Sequence, residues 1–163
     1  MSTLYVDNLA PNLGSQVEIP DLKPLAGSVV RAGSAKHSTY AANSTINTWV
    51  EAYTFTVTGI TQGNTLQMTY SVNDLVQDSN SVYFRVRSVT DNNNVLVEWG
   101  RATHGNGQWR GIISDAAFED TSTSGGTRTY AIDFYTTYGA VYVNYPSGDT
   151  DCASFLTWQE IAQ

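Results

Sequence analysis

Two histidines, His37 in "AKHST" and His104 in "THGNG", are the first residues to weigh for catalysis. A histidine works as a general base when a nucleophile and an orienting carboxylate stand with it. Neither lies near a Gly-x-Ser-x-Gly elbow, and neither has a metal-ligating partner at i+2 or i+4. Ser114 beside Asp115 has no triad spacing either. Hydrolysis of a glycosidic bond needs two carboxyl groups facing one sugar. Glu119 and Asp120 are adjacent, and adjacent residues of a strand point to opposite faces. Asp149 and Asp151 fall in the turn cluster "PSGDTD", where turn capping is the ordinary role of Asp and a Ca2+ ion the alternative. No EF-hand spacing accompanies them. The expectation is a protein with no catalytic residues, no cofactor and no metal site, hence not an enzyme.

Recognition is the chemistry that is left. Aromatic residues make up 12 % of the chain. Tyr135, Tyr138, Tyr142 and Tyr145 gather near the C-terminus, while Trp99, Trp109 and Trp158 stand elsewhere. In alternating strands Tyr135 and Tyr142 fall opposite Phe134 and Val141, which marks them as a candidate glycan-stacking patch. The competing role for the same rings is packing or a subunit contact. "NST" at 43–45 is a formal glycosylation sequon, with little meaning in the absence of a secretion signal.

Charge excludes two classes of partner. Eight Lys and Arg stand against 15 Asp and Glu, a net charge of −7. Binding phosphate needs clustered cations, so neither nucleic acid nor an anionic membrane surface is expected as a partner. Charged residues are 14 % of the chain, against about 25 % in ordinary globular proteins. Thr, Ser, Asn, Tyr and Gly fill the gap, a mixture found in extracellular β proteins and on virion surfaces. The single cysteine, Cys152, makes no intramolecular disulfide and has no zinc-type spacing around it. The opening Met-Ser-Thr-Leu-Tyr-Val-Asp has no basic or apolar signal-peptide region, and no apolar run approaches the roughly 20 residues of a membrane span.

The elements that must carry these residues are strands. "YTFTVTGI" places Tyr53, Phe55 and Val57 opposite Thr54, Thr56 and Thr58. "TLQMTYSVND" places Leu66, Met68, Tyr70 and Val72 on one face, and "SVYFRVRSV" does the same with Val82, Phe84 and Val86. "NVLVEW" offers Val95, Val97 and Trp99; "TYAIDFYT" offers Tyr130, Ile132 and Phe134; "AVYVNY" offers Val141, Val143 and Tyr145. One greasy and one wet face per run is the pattern of antiparallel sheets. Turn clusters such as "TGITQGNT", "VTDNNN" and "DTSTSGGT" separate them. The fold expected is all-β: a single antiparallel β-sandwich of jelly-roll type over residues 28–163, with one helical turn at "DAAFED" (115–120). "CASFLTWQEIA" (152–162) is apolar on both faces and reads as a central strand or a strand at a subunit contact.

Residues 1–27 differ. They hold three of the chain's four prolines and two short strand candidates, too little for a core of their own. Leu4, Val6, Leu9, Leu13, Val17, Ile19, Leu22 and Leu25 are nonetheless too apolar for a solvated tail. An extended arm that is buried only against something else reconciles the two, with ordinary edge strands of the same domain as the competing reading.

Two stretches carry a resemblance. "TLYVDNLAPNLGSQVEIP" resembles the N-terminal segment of phage tail-fibre and head-fibre proteins. "YTTYGAVYVNYPSGDTDCASFLTWQEI" resembles the end of their trimeric β-sandwich heads, through Gly139, Val141, Val143 and Asn144, then Ser154, Phe155, Leu156, Thr157, Glu160 and Ile161. The resemblance covers about 50 residues, at the two ends of the chain. It implies a non-enzymatic virion surface protein, made in the host cytoplasm. The chain would be a homotrimer, a capsid decoration or knob or a short fibre head, held to other phage capsid or tail proteins by its arm. The subunit or core seam would lie at Val141, Val143, Phe155, Leu156, Trp158 and Ile161. The second reading is a carbohydrate-binding adhesin that recognises a host surface glycan. No coiled-coil or fibrous shaft is present, which favours a short knob.

Overall fold

The computed structural model describes residues 24–72, 76–77, 81–102, 114–122, 124–144 and 153–163. The arm residues Leu4 to Leu22, and His104, Trp109, Tyr145, Asp149, Asp151 and Cys152, lie outside the described residues. Those described form eleven strands and no helix.

Period two builds the strands. In β3 (Val50–Ile60) Tyr53, Phe55 and Val57 are buried while Thr54, Thr56 and Thr58 are exposed. β4 (Thr65–Val72) and β6 (Ser81–Ser88) bury Leu66, Met68, Tyr70, Val72, Val82, Phe84 and Val86 in the same way. Two four-stranded antiparallel sheets result. The first has the order β1 (Val29–His37), β11 (Ser154–Ile161), β4, β8 (Ser114–Asp120). The second has the order β3, β9 (Gly126–Thr136), β6, β7 (Asn94–Ala102). A small third sheet joins β2 (Ala41–Asn43), β10 (Val141–Val143) and β5 (Val76–Gln77). The buried faces of the large sheets share one core, a sandwich-like arrangement, to which β10 adds Val141 and Val143.

Three sequence expectations need correction. "DAAFED" is not a helical turn but part of β8, paired to β4 from Ser114 to Asp120. Its period-two burial of Ala116, Phe118 and Asp120 outweighs the helix propensity of an Ala-Ala-Phe-Glu run. β11 is a central strand, but not one buried on both faces: Leu156 is sealed in the core while Phe155 is 41 % exposed. In β7 a bulge pairs Val86 with Val97 but Arg87 with Val95, so Val95 is left exposed while Val97 and Trp99 pack on the core.

Each large sheet has an edge glycine roofed by a ring from the neighbouring strand. Gly33 of β1 pairs with Trp158, and Gly100 of β7 with Tyr83. A Cβ at either glycine would collide with that ring. The aromatic replaces the missing side chain and fixes the register of the edge.

One pole of the sandwich is closed by buried charge. Arg128, on the core face of β9, is 1 % exposed. Its guanidinium donates to the carbonyls of Ser124 (2.9 Å), Ser122 (2.6 Å) and Asn64 (3.1 Å) and lies 3.4 Å from Asp120 Oδ2. Asp120 also accepts from Tyr130 OH and from the Ser122 amide. Asn64 carries the network onward, its side-chain amide donating to Glu160 Oε1 at 2.8 Å. Glu160, on the core face of β11, takes Thr61 N–H at 2.8 Å and Arg31 Nε at 2.8 Å. Strands β1, β8, β9 and β11 and the turn between β3 and β4 are thus tied together. Arg128→Ala removes the donor from Asp120 and three carbonyls at once, and is expected to lower the unfolding free energy by about 3–5 kcal/mol in a urea titration. A loss below about 1 kcal/mol would show that this network does not hold the pole.

Candidate functional site

The second sheet's outer face is built around Asp133, which is 2 % exposed although it points away from the core. Arg85 Nε donates to its Oδ2 at 2.7 Å and Arg87 Nε at 2.9 Å, while Arg87 also holds Glu51 and Asn93. The Arg85 guanidinium lies 4.4 Å from the Trp49 ring centroid. Trp49 packs on Tyr135 at 5.2 Å, Tyr135 on Tyr83 at 5.9 Å, and Tyr135 OH donates to Asn47 Oδ1 at 2.9 Å. Tyr135 is therefore held in a ring cluster. Tyr142 sits apart on the small sheet, stacked on Tyr40 at 6.0 Å. The structure separates the two tyrosines that the sequence grouped as one patch.

At the pole opposite Arg128, His37 closes β1. Its ring stacks on Tyr53 at 4.7 Å, and its Nδ1 is buried with no partner among the described residues. Burial lowers its pKa from the usual histidine value. Beside it Asn144, in the left-handed region at φ 53°, donates to the His37 carbonyl at 2.7 Å and to Tyr53 OH at 2.7 Å. Ser154 donates its hydroxyl proton to Asn144 Oδ1 at 2.8 Å. That hydroxyl is thereby engaged by an amide, and the cluster is a corner brace without the geometry of a nucleophile and its base. Tyr53, desolvated here, has its phenol pushed up to about 12.

The remaining candidates resolve simply. Glu119 is exposed on the outer face of β8 and Asp120 buried on the inner face, so the two do not confront one substrate. Asp115 is exposed on the same outer face as Glu119. Asn43 of the sequon is 2 % exposed, its amide donating to the Phe134 carbonyl at 3.0 Å, which makes it a structural residue. Val141, Val143 and Leu156 are buried in this chain's own core, Ile161 lies at its margin, Trp158 is half-buried and Phe155 faces out.

The first sheet's outer face is different in kind. Across it runs a shallow groove of about 830 Å3. Register places Ser34, Thr157, Thr69 and Ala117 in one row over the four strands. A second row holds Ala32, Gln159, Gln67 and Glu119. Met68 and Phe118, which also border the groove, turn their side chains into the core, so these strands give main chain to its floor. Sequence reasoning missed this face. Its signal was the wet half of each alternating strand, seen only as the complement of the core.

No protein-family model matches the chain, and no curated protein matches it.

Two titrations couple to stability with the same sign. His37 has a folded pKa below its unfolded value of about 6.5, so the unfolded chain takes up protons first as pH falls and stability declines from there. For Glu160, burial alone would raise the pKa, but the Thr61, Asn64 and Arg31 hydrogen bonds outweigh it and the net shift is downward. Its contribution is present above the unfolded value and is lost as pH falls through the folded one. Urea midpoints measured from pH 8 to 3 should fall in two stages. His37→Gln should abolish the upper stage and leave the lower; an unchanged upper stage would assign it to another group.

Proposed function

We propose that the chain is a non-enzymatic structural protein of a phage virion surface, a head of jelly-roll type held to the particle by residues 1–27. The observation that carries this reading is strand order. Counting the eight long strands along the chain (β1, β3, β4, β6, β7, β8, β9, β11), the sheets read 1-8-3-6 and 2-7-4-5. That is the order of two interlocked Greek keys, the arrangement used by viral capsid and lectin domains. The described part of the C-terminal resembling segment is in keeping with it: Ser154 to Ile161 form the last strand, beside the first.

The arm's root supports the attachment role. Gly27 N–H donates to the Ala162 carbonyl at 2.7 Å and Ala162 N–H to the Ser28 carbonyl at 3.0 Å, so residues 1–27 join the head beside residue 162. Leu25 is 83 % and Val29 53 % exposed there, apolar surface that a neighbouring capsid or tail protein, or a second subunit, would cover. The oligomer proposed is a homotrimer. A second reading, a carbohydrate-binding adhesin, is favoured by the polar groove on the first sheet.

Native mass spectrometry of the full chain, of a chain lacking residues 1–27 and of Leu25→Asp/Val29→Asp tests the trimer and the arm together. The full chain should be trimeric and the double variant should dissociate, with a melting temperature close to the parent's because both residues are exposed. A full chain that stays monomeric at micromolar concentration would overturn the trimer. Trimers in all three samples would move the subunit seam from the arm's root to the sandwich.

A further inference from the structure

We propose that the groove across β1, β11, β4 and β8 binds a neutral oligosaccharide lying across the strands. The proposal rests on the adhesin reading and gives that reading its site. Four neighbouring strands span about 14 Å at the usual interstrand spacing, enough for several linked sugar units. The alanines of the two rows, Ala32 and Ala117, leave room for a ligand to approach the main chain at both ends of the groove.

The lining selects the chemistry. Hydroxyls and primary amides each donate and accept hydrogen bonds, as sugar hydroxyls do. An anionic ligand would call for Arg or Lys, and the two rows contain neither; the cation of this face among the described residues, Lys36, stands outside them, opposite Phe155 at the flank. An apolar ligand would leave these groups unsatisfied at a cost. Glu119 is the one formal charge among the lining residues, at the groove's β8 end. Phe155, 41 % exposed on the same face and two residues from Thr157, supplies an apolar platform at the groove's flank for the C–H face of a pyranose.

The second argument is contrast within one molecule. On the opposite outer face Arg85, Arg87, Asp133 and Glu51 satisfy one another, and Tyr135 OH donates to Asn47. Among the described residues, the side chains of Ser34, Gln67, Thr69, Thr157 and Gln159 have no intramolecular hydrogen bond. Their capacity is available to a ligand. Glu119 and Asp115 stand four residues apart on β8, about 13 Å along the strand, beyond the span over which two carboxyls act on one glycosidic bond. The geometry is that of retention without cleavage.

The test is an array of neutral and acidic oligosaccharides probed with the full chain, followed by calorimetric titration of the best neutral probe. Thr69→Val/Thr157→Val keeps shape and strand propensity while removing two hydroxyls, and Ala117→Phe fills the groove. Each should weaken binding at least tenfold with an unchanged melting temperature, while Thr56→Ala on the opposite face should bind as the parent does. Neutral glycans bound equally by the groove variants would overturn the site and leave the adhesin reading standing. Selection of acidic glycans alone would overturn the ligand chemistry. No glycan bound at all would overturn both the site and the adhesin reading.

Discussion

A cation sealed inside a β-sandwich is expensive unless its hydrogen-bonding geometry is complete, and Arg128 meets that condition with Asp120 and three main-chain carbonyls. Because those carbonyls belong to two different loops, the guanidinium fixes where the chain crosses between sheets. Asn64 then hands the network to Glu160 and Arg31, which places the first and last long strands side by side. The order of the strands, the adjacency of residues 27 and 162 and the composition of both outer faces all presuppose that this pole is shut. An apolar plug would fill the space without specifying which loops meet there. Eight or more directed hydrogen bonds do specify it, at the risk that any one partner left alone is strongly destabilising.

Alternation made much of the core legible. Tyr53, Phe55, Val57, Leu66, Met68, Tyr70, Val72, Val82, Phe84 and Val86 are inside because each sits on the apolar half of a period-two run. β1 escaped notice for a physical reason. Its inward positions are Arg31, Gly33, Ala35 and His37, which meet a carboxylate, a tryptophan roof, the margin of the core and a tyrosine stack. None of these reads as hydrophobic in one dimension. Glu160 was silent for a related reason: a charge inside an apolar strand gives no hint that its partners lie about a hundred residues away. β8 was misread because pairing with β4 is a long-range fact and helix propensity a local one.

The groove was illegible because it is defined by what two rows of side chains do not do. Thr, Ser and Gln on outer strand positions are ordinary, and only the register across four strands shows that they line up and that no neighbour engages them. The ring cluster of the second sheet shows the alternative. There the outer residues are large and charged, their partners are local, and the face is a second, thin layer of structure. Tyr135 belongs to that layer through Trp49 and Tyr83, which are distant in sequence.

The adjacency of β1 and β11 has a mechanical side. A pull applied at Val29 along the strand runs down β1, which is laddered to β11 at Val29 and, past one irregularity, from Arg31 through His37. Load in that direction is shared by the rungs in parallel, as in a lap joint, instead of peeling them one after another. Arg31 and Glu160 sit at the loaded end, where an ion pair anchors the first rungs. A sheet edge built this way resists a pull along β1 more strongly than a pull across it.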